Sequence, residues 1–108
     1  MIHHTMIVSF NDEIPTAELD QYLAEMQELM AASGLSQSFA AARNLPIPAD
    51  DHAPVMTATA IVRFEVSDLD GLNAAFEAPG LEEFIGRWQA KRPYKVVWAN
   101  HEPLEPRT

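Results

Sequence analysis

Several runs of period-two alternation, with amphipathic stretches at helical spacing between them, in a chain of 108 residues predict a single α+β domain. Its sheet is expected to be antiparallel and covered by helices on one face. The clearest stretch is 56–76, MTATAIVRFEVSDLDGLNAAF. Met56, Ala58, Ala60, Val62 and Phe64 alternate with Thr57, Thr59, Ile61, Arg63 and Glu65, which predicts a central strand. Ser67 is expected to end that strand and cap a helix, with Asp70 in the capping-box position three residues on. Leu69, Leu72 and Phe76 then recur at helical spacing. The small residues Ala58 and Ala60 are expected to leave space beneath that helix.

Taken from the start, His4, Met6, Val8 and Phe10 alternate with His3, Thr5, Ile7 and Ser9, which predicts the first strand. Thr16 is the expected N-cap of the first helix, with Glu18 and Asp20 favouring the positive end of its dipole. Leu19, Tyr22, Leu23, Met26, Leu29 and Met30 follow amphipathic spacing, and Gly34 stops the helix. Residues 36–43 make a weaker strand of small side chains, with Phe39, Ala41 and Arg43 on one face. Residues 44–55 hold three prolines around Asp50, Asp51 and His52 and are expected to form a loop near a pocket mouth.

Pro79-Gly80 separates the second helix from a short third one marked by Leu81, Phe84, Ile85 and Trp88. Residues 94–100 make the last strand, with Tyr94, Val96 and Trp98 alternating against Lys95, Val97 and Ala99. The domain is expected over 1–100 and a C-terminal arm over 101–108. The order β-α-β-β-α-(α)-β is that of the ferredoxin-like split βαβ fold, a four-stranded antiparallel sheet with helices on one face. Its other face, carrying Thr5, Ile7, Thr57, Thr59 and Ile61, needs a cover. A second copy paired through that face, closing a dimeric α/β barrel, is the expected partner.

Seven Lys and Arg against sixteen Asp and Glu give a net charge of −9, which repels a phosphate backbone and argues against nucleic acid as a partner. No apolar run approaches the roughly 20 residues of a membrane span, so no membrane partner is expected and a cytoplasmic location is the default. The four histidines lack metal-ligand spacing, and His3 and His4 point to opposite faces of one strand, so no metal is expected.

His4 shares its face with core residues, where an imidazole suits acid–base chemistry near neutral pH. The alternative is a structural histidine held by a backbone carbonyl or by Tyr22. Met6, Tyr22, Met26, Ala58, Ala60, Phe76, Phe84 and Trp88 are candidate pocket residues, and Trp98 is a further aromatic candidate. Ordinary core packing explains the same spacing. Arg43 is a candidate for holding a ligand carboxylate, or else a surface ion pair.

These motifs resemble a known family. The opening Met1-Ile2-His3-His4 before an alternating strand, the first helix, Arg43-Asn44-Leu45 after the second strand, and the IVRFE run are similar to the stress-responsive A/B barrel (Dabb) domain. The resemblance covers roughly residues 1–100. It implies a dimeric α+β barrel with a cavity between helices and sheet. It also implies kinship with plant stress proteins and with the cofactor-free polyketide cyclase olivetolic acid cyclase. Where that family often shows His-Pro-x-His, this chain reads Ala78-Pro79-Gly80-Leu81, and Ala75 lies where the cyclase tyrosine falls. The cyclase's acid–base pair is absent, whereas its first-strand histidine is matched by His4. The more distant cofactor-free antibiotic-biosynthesis monooxygenases share the architecture.

The reading is a homodimer that binds a small apolar, aromatic or polyketide-like ligand without a cofactor. It is either a cyclase-, isomerase- or monooxygenase-type enzyme with His4 as acid–base, or a non-catalytic stress or carrier module.

Overall fold

A computed structural model describes residues 1–52 and 57–107. The elements run β1 (Ile2–Phe10), α1 (Thr16–Ser33), β2 (Ser38–Arg43), a short 3-10 turn (Pro48–His52), β3 (Ala60–Val66), α2 (Leu69–Ala75), α3 (Leu81–Lys91) and β4 (Tyr94–His101). The strands form one sheet in the order β2-β3-β1-β4, and every neighbouring pair is antiparallel. This is the expected ferredoxin-like arrangement.

Register decides which side chains meet. β1 lies between β3 and β4, and pairs Met6 with Val62 and with Trp98, and His4 with Phe64 and with Asn100. The side chains of His4, Met6, Val8, Phe10, Val62 and Phe64 therefore share the helix-facing side, where all are buried. From the helices, Tyr22, Met26, Leu72, Phe84 and Trp88 close the core. The other face stays open, with Ile61 44% and Val97 72% exposed.

α1 begins at Thr16, but Pro15 is its cap, with its carbonyl accepting the N–H groups of Glu18 and Leu19 at 3.0 Å each. Thr16 is thus the first helical residue, not the N-cap. Proline's fixed φ suits the helix entry, and no side-chain cap is formed. Leu19, Tyr22, Met26 and Met30 are buried as the spacing predicts, and Gly34 ends the helix at φ 72.

The central strand departs from expectation at its start, and the helix after it departs at its cap. Met56 and Pro54 lie outside the described residues, and β3 starts only at Ala60. Just before it, the Thr59 carbonyl accepts the Asn44 N–H at 2.8 Å and the Thr59 hydroxyl accepts the Phe10 N–H at 3.0 Å. The Thr59 N–H donates to the Val8 carbonyl at 2.8 Å. At the other end Asp68, not Ser67, caps α2, with its Oδ1 accepting the Gly71 N–H at 2.7 Å. The Ser67 hydroxyl is engaged by Gln37 Nε2 at 2.6 Å. Leu69, at the first position of α2, is exposed and not part of the core stripe.

The cap correction has a measurable consequence. Asp68→Ala is expected to destabilise the fold by about 1 kcal/mol, and Ser67→Ala to stay within about 0.5 kcal/mol. Urea unfolding of both variants checks this; a larger loss for Ser67→Ala contradicts the assignment.

Candidate functional site

Between the sheet and the helices lies an apolar cavity of about 80 Å³. Its wall takes His4 and Met6 from β1, Tyr22 and Met26 from α1, and Phe84 from α3, with Phe76 where the chain leaves α2. These are six of the residues that sequence spacing singled out. Among the described residues no Asp, Glu, Lys or Arg lines it.

The remaining expected pocket residues lie elsewhere, each for a local reason. Arg43 is exposed at the end of an edge strand and pairs with Asp20 at 3.2 Å. Ala58 sits with it beside a separate surface depression. Ala60 is buried opposite Arg43, away from the cavity wall. Trp88 is core, its indole N–H drawn to Glu25 Oε2 at 2.9 Å. None of the residues 44–52 lines the cavity, so Pro46, Pro48 and Asp50-Asp51-His52 do not sit at its mouth, while Pro54 lies outside the described residues. Among the described residues no group of three or more His, Cys, Asp or Glu is placed to hold a metal, and no helix is long and apolar enough to cross a membrane.

His4 is the buried imidazole of the sheet wall, and its side chain is fully enclosed. Three rings surround the imidazole, with centroids 4.9 Å away for Phe64, 5.1 Å for Phe76 and 5.2 Å for Trp98. Its Nδ1 lies 2.7 Å from Asn100 Oδ1, while Nε2 is buried and has no partner among the described residues. The partner is therefore neither a backbone carbonyl nor Tyr22. Burial pushes the imidazole below its ordinary value; the Asn100 contact partly opposes this, and His101 adds a little to the lowering. His4 is neutral at neutral pH.

Tyr22, from α1, and Tyr94, from β4, are further polar groups of the wall. Burial pushes the Tyr22 phenol well above the ordinary value, and the charge of the neighbouring Tyr94 phenol and a hydrogen bond to it add to the shift. Tyr22 stays protonated and offers a hydrogen-bond donor. Two neutral groups of opposite function, an acceptor nitrogen and a donor hydroxyl, thus share one apolar cavity.

Phe76 and Trp98 form the mouth. They contact each other at 5.5 Å and lie against the imidazole, yet they are 41% and 55% exposed. Sequence reasoning missed Asn100, although a signal was there: the stripe Tyr94, Val96, Trp98 continues at a polar residue. The other histidines lie off the site. His3, on the opposite face, bonds Glu65 at 3.2 Å; His101 Nε2 lies 2.7 Å from the Thr5 hydroxyl; His52 is exposed in the 3-10 turn.

A lowered folded-state pKa means that the unfolded chain takes the His4 proton first as pH falls. The stabilisation carried by neutral His4 is complete above about pH 6.5 and is lost as pH drops through the folded value. Melting temperature is therefore expected to fall more steeply with acid below about pH 6.5 in the native protein than in His4→Gln. Parallel curves for the two contradict the assignment.

No protein-family model matches the chain, and no curated protein matches it. Solved structures do. The Arabidopsis thaliana protein At3g17210 superposes with a TM-score of 0.77 at 15% identity, covering 100% of both chains. A hydroxynitrile lyase from Passiflora edulis superposes at 0.75 with 16% identity, over 99% of this chain and 96% of the other. A Dabb family protein with a ferredoxin-like fold from Mesorhizobium loti MAFF303099 superposes at 0.72 with 15% identity, over 96% and 97%. Other structures that match are described as dimeric. At this level of identity the likeness speaks to fold, and the chain has the ferredoxin-like fold of Dabb-type domains that its first-strand, Arg43-Asn44-Leu45 and IVRFE motifs resembled.

Proposed function

We propose that the protein binds a small, uncharged, largely apolar molecule in the His4 cavity and performs cofactor-free general acid–base chemistry on it. The observation that carries this reading is the partnerless, buried Nε2 of a neutral imidazole on the wall of a cavity without charged residues. A purely structural histidine is normally satisfied, because an orphaned buried polar atom costs about 1–3 kcal/mol. The hydroxynitrile lyase of the same fold is consistent with small-molecule chemistry.

The cavity limits the ligand. Benzene occupies an engineered cavity of about 150 Å³, so at about 80 Å³ this one takes only a few heavy atoms. A larger aromatic or polyketide-like ligand would place its reacting end inside and its ring against Phe76 and Trp98. Chemically, His4 Nε2 accepts a proton from a carbon next to a carbonyl. The C–H electron pair moves into the enolate, whose oxygen is held by the Tyr22 hydroxyl. This is the proton step that a cyclase, an isomerase or a monooxygenase acting on a carbanion shares.

Acetone in D2O tests this without knowledge of the natural substrate. The native protein is expected to accelerate deuterium exchange of the methyl groups above the buffer rate. His4→Gln should abolish the acceleration, and Tyr22→Phe should lower it about tenfold or more. Acetone that binds the cavity without exchanging would support the carrier reading instead.

The open sheet face supports a homodimer built through Ile7, Ile61 and Val97. Light scattering is expected to give twice the chain mass for the native protein and the single chain mass for Ile61→Lys, because burying an unpaired ammonium costs several kcal/mol. A native monomer at micromolar concentration contradicts the dimer.

A further inference from the structure

We infer that Asn100 is a positioning residue that holds His4 in the tautomer whose Nε2 is free to accept a proton. Register places the two residues directly across the β1–β4 ladder, both on the helix-facing side. The Asn100 amide oxygen lies 2.7 Å from Nδ1. An amide oxygen only accepts, so Nδ1 carries the hydrogen and Nε2 carries the lone pair. Without Asn100 the two tautomers of a neutral imidazole would compete, and nothing else beside the ring would choose between them. The rings packed on it belong to Phe64, Phe76 and Trp98, which offer Nδ1 no acceptor.

The choice of amide over carboxylate matters as much as the contact. A carboxylate at position 100 would place a full negative charge beside the ring, favour the imidazolium and fill the Nε2 lone pair with a proton. Asn100 orients the ring while leaving it uncharged. The ligand end that meets His4 is therefore a hydrogen donor, a hydroxyl or an acidic C–H. A carboxylate is disfavoured there, since it finds neither a donor on Nε2 nor a cation on the wall.

The role in turnover rests on the acid–base reading above, but the tautomer does not, and the two are separable. Nitrogen-15 NMR of the histidine-labelled full chain at pH 7.5 reads each ring nitrogen directly. In the native protein His4 is expected to show a protonated Nδ1 and an unprotonated Nε2. Asn100→Leu should give averaged signals of two tautomers, and Asn100→Asp should keep Nε2 protonated to higher pH than in the native protein. Asn100 is exposed near the end of an edge strand, so these substitutions leave the core alone; Asn100→Ala is the second variant if either fails to fold. Acetone exchange should fall about 10-fold in Asn100→Leu, with KM little changed. A protonated Nε2 in the native protein, or an unchanged tautomer in both Asn100→Leu and Asn100→Ala, overturns the inference. Altered tautomers with no acetone exchange in the native protein would leave this inference standing and remove the acid–base reading.

Discussion

The position of β1 between β3 and β4 constrains everything else in this molecule. A strand with neighbours on both sides must send alternate side chains to two different environments. One set here meets the helices and is buried; the other lies on the face away from the helices. His4 belongs to the first set, so an imidazole is built into a layer of Met, Val and Phe. That placement costs free energy unless the ring is uncharged and its polar atoms are satisfied. Burial settles the charge, and Asn100 satisfies one nitrogen. The other has no partner among the described residues, and this is the feature from which a function is inferred.

The surrounding core makes that nitrogen usable. Aromatic rings on three sides keep the ring upright and exclude water, while the methionines of β1 and α1 leave an adaptable apolar volume beside it. With no charged group on the wall, a donor and an acceptor act at low dielectric, where each hydrogen bond to a ligand is stronger than in water. The charged residues are spent elsewhere. Glu18 binds Lys91 and Arg92, and Glu25 binds Arg87 and Trp88, so the outer surfaces of α1 and α3 are tied together over the core. The depression between those helices is mixed, with Glu25, Glu28, Glu83 and Arg87 beside Leu29, Ala32 and Phe84.

Period-two and helical spacing made most of this legible. The alternation of His4, Met6, Val8 and Phe10 identified the buried face, and the α1 stripe identified Tyr22 and Met26 on the opposite wall. Legibility failed where a contact depends on register between distant strands. Asn100 faces His4 only because β4 pairs with β1 at one offset, and spacing within either strand carries no such information. Ala58 and Ala60 failed differently: small size implied a void, but the cavity formed further along the sheet, under Phe76. The α2 cap is ambiguous in the sequence because Ser67 and Asp68 are both competent caps; in the fold Asp68 takes the Gly71 N–H, and the Ser67 hydroxyl accepts from Gln37, a residue from another part of the chain.

Xenon pressurisation of a crystal is the most direct test of the central claim, that an apolar cavity beside His4 is open to a small ligand. Xenon occupies dry apolar cavities without requiring any particular chemistry of the site. A xenon peak enclosed by His4, Tyr22 and Phe84 is the result this account predicts. Density showing those side chains collapsed onto one another, with no xenon between them, would contradict it.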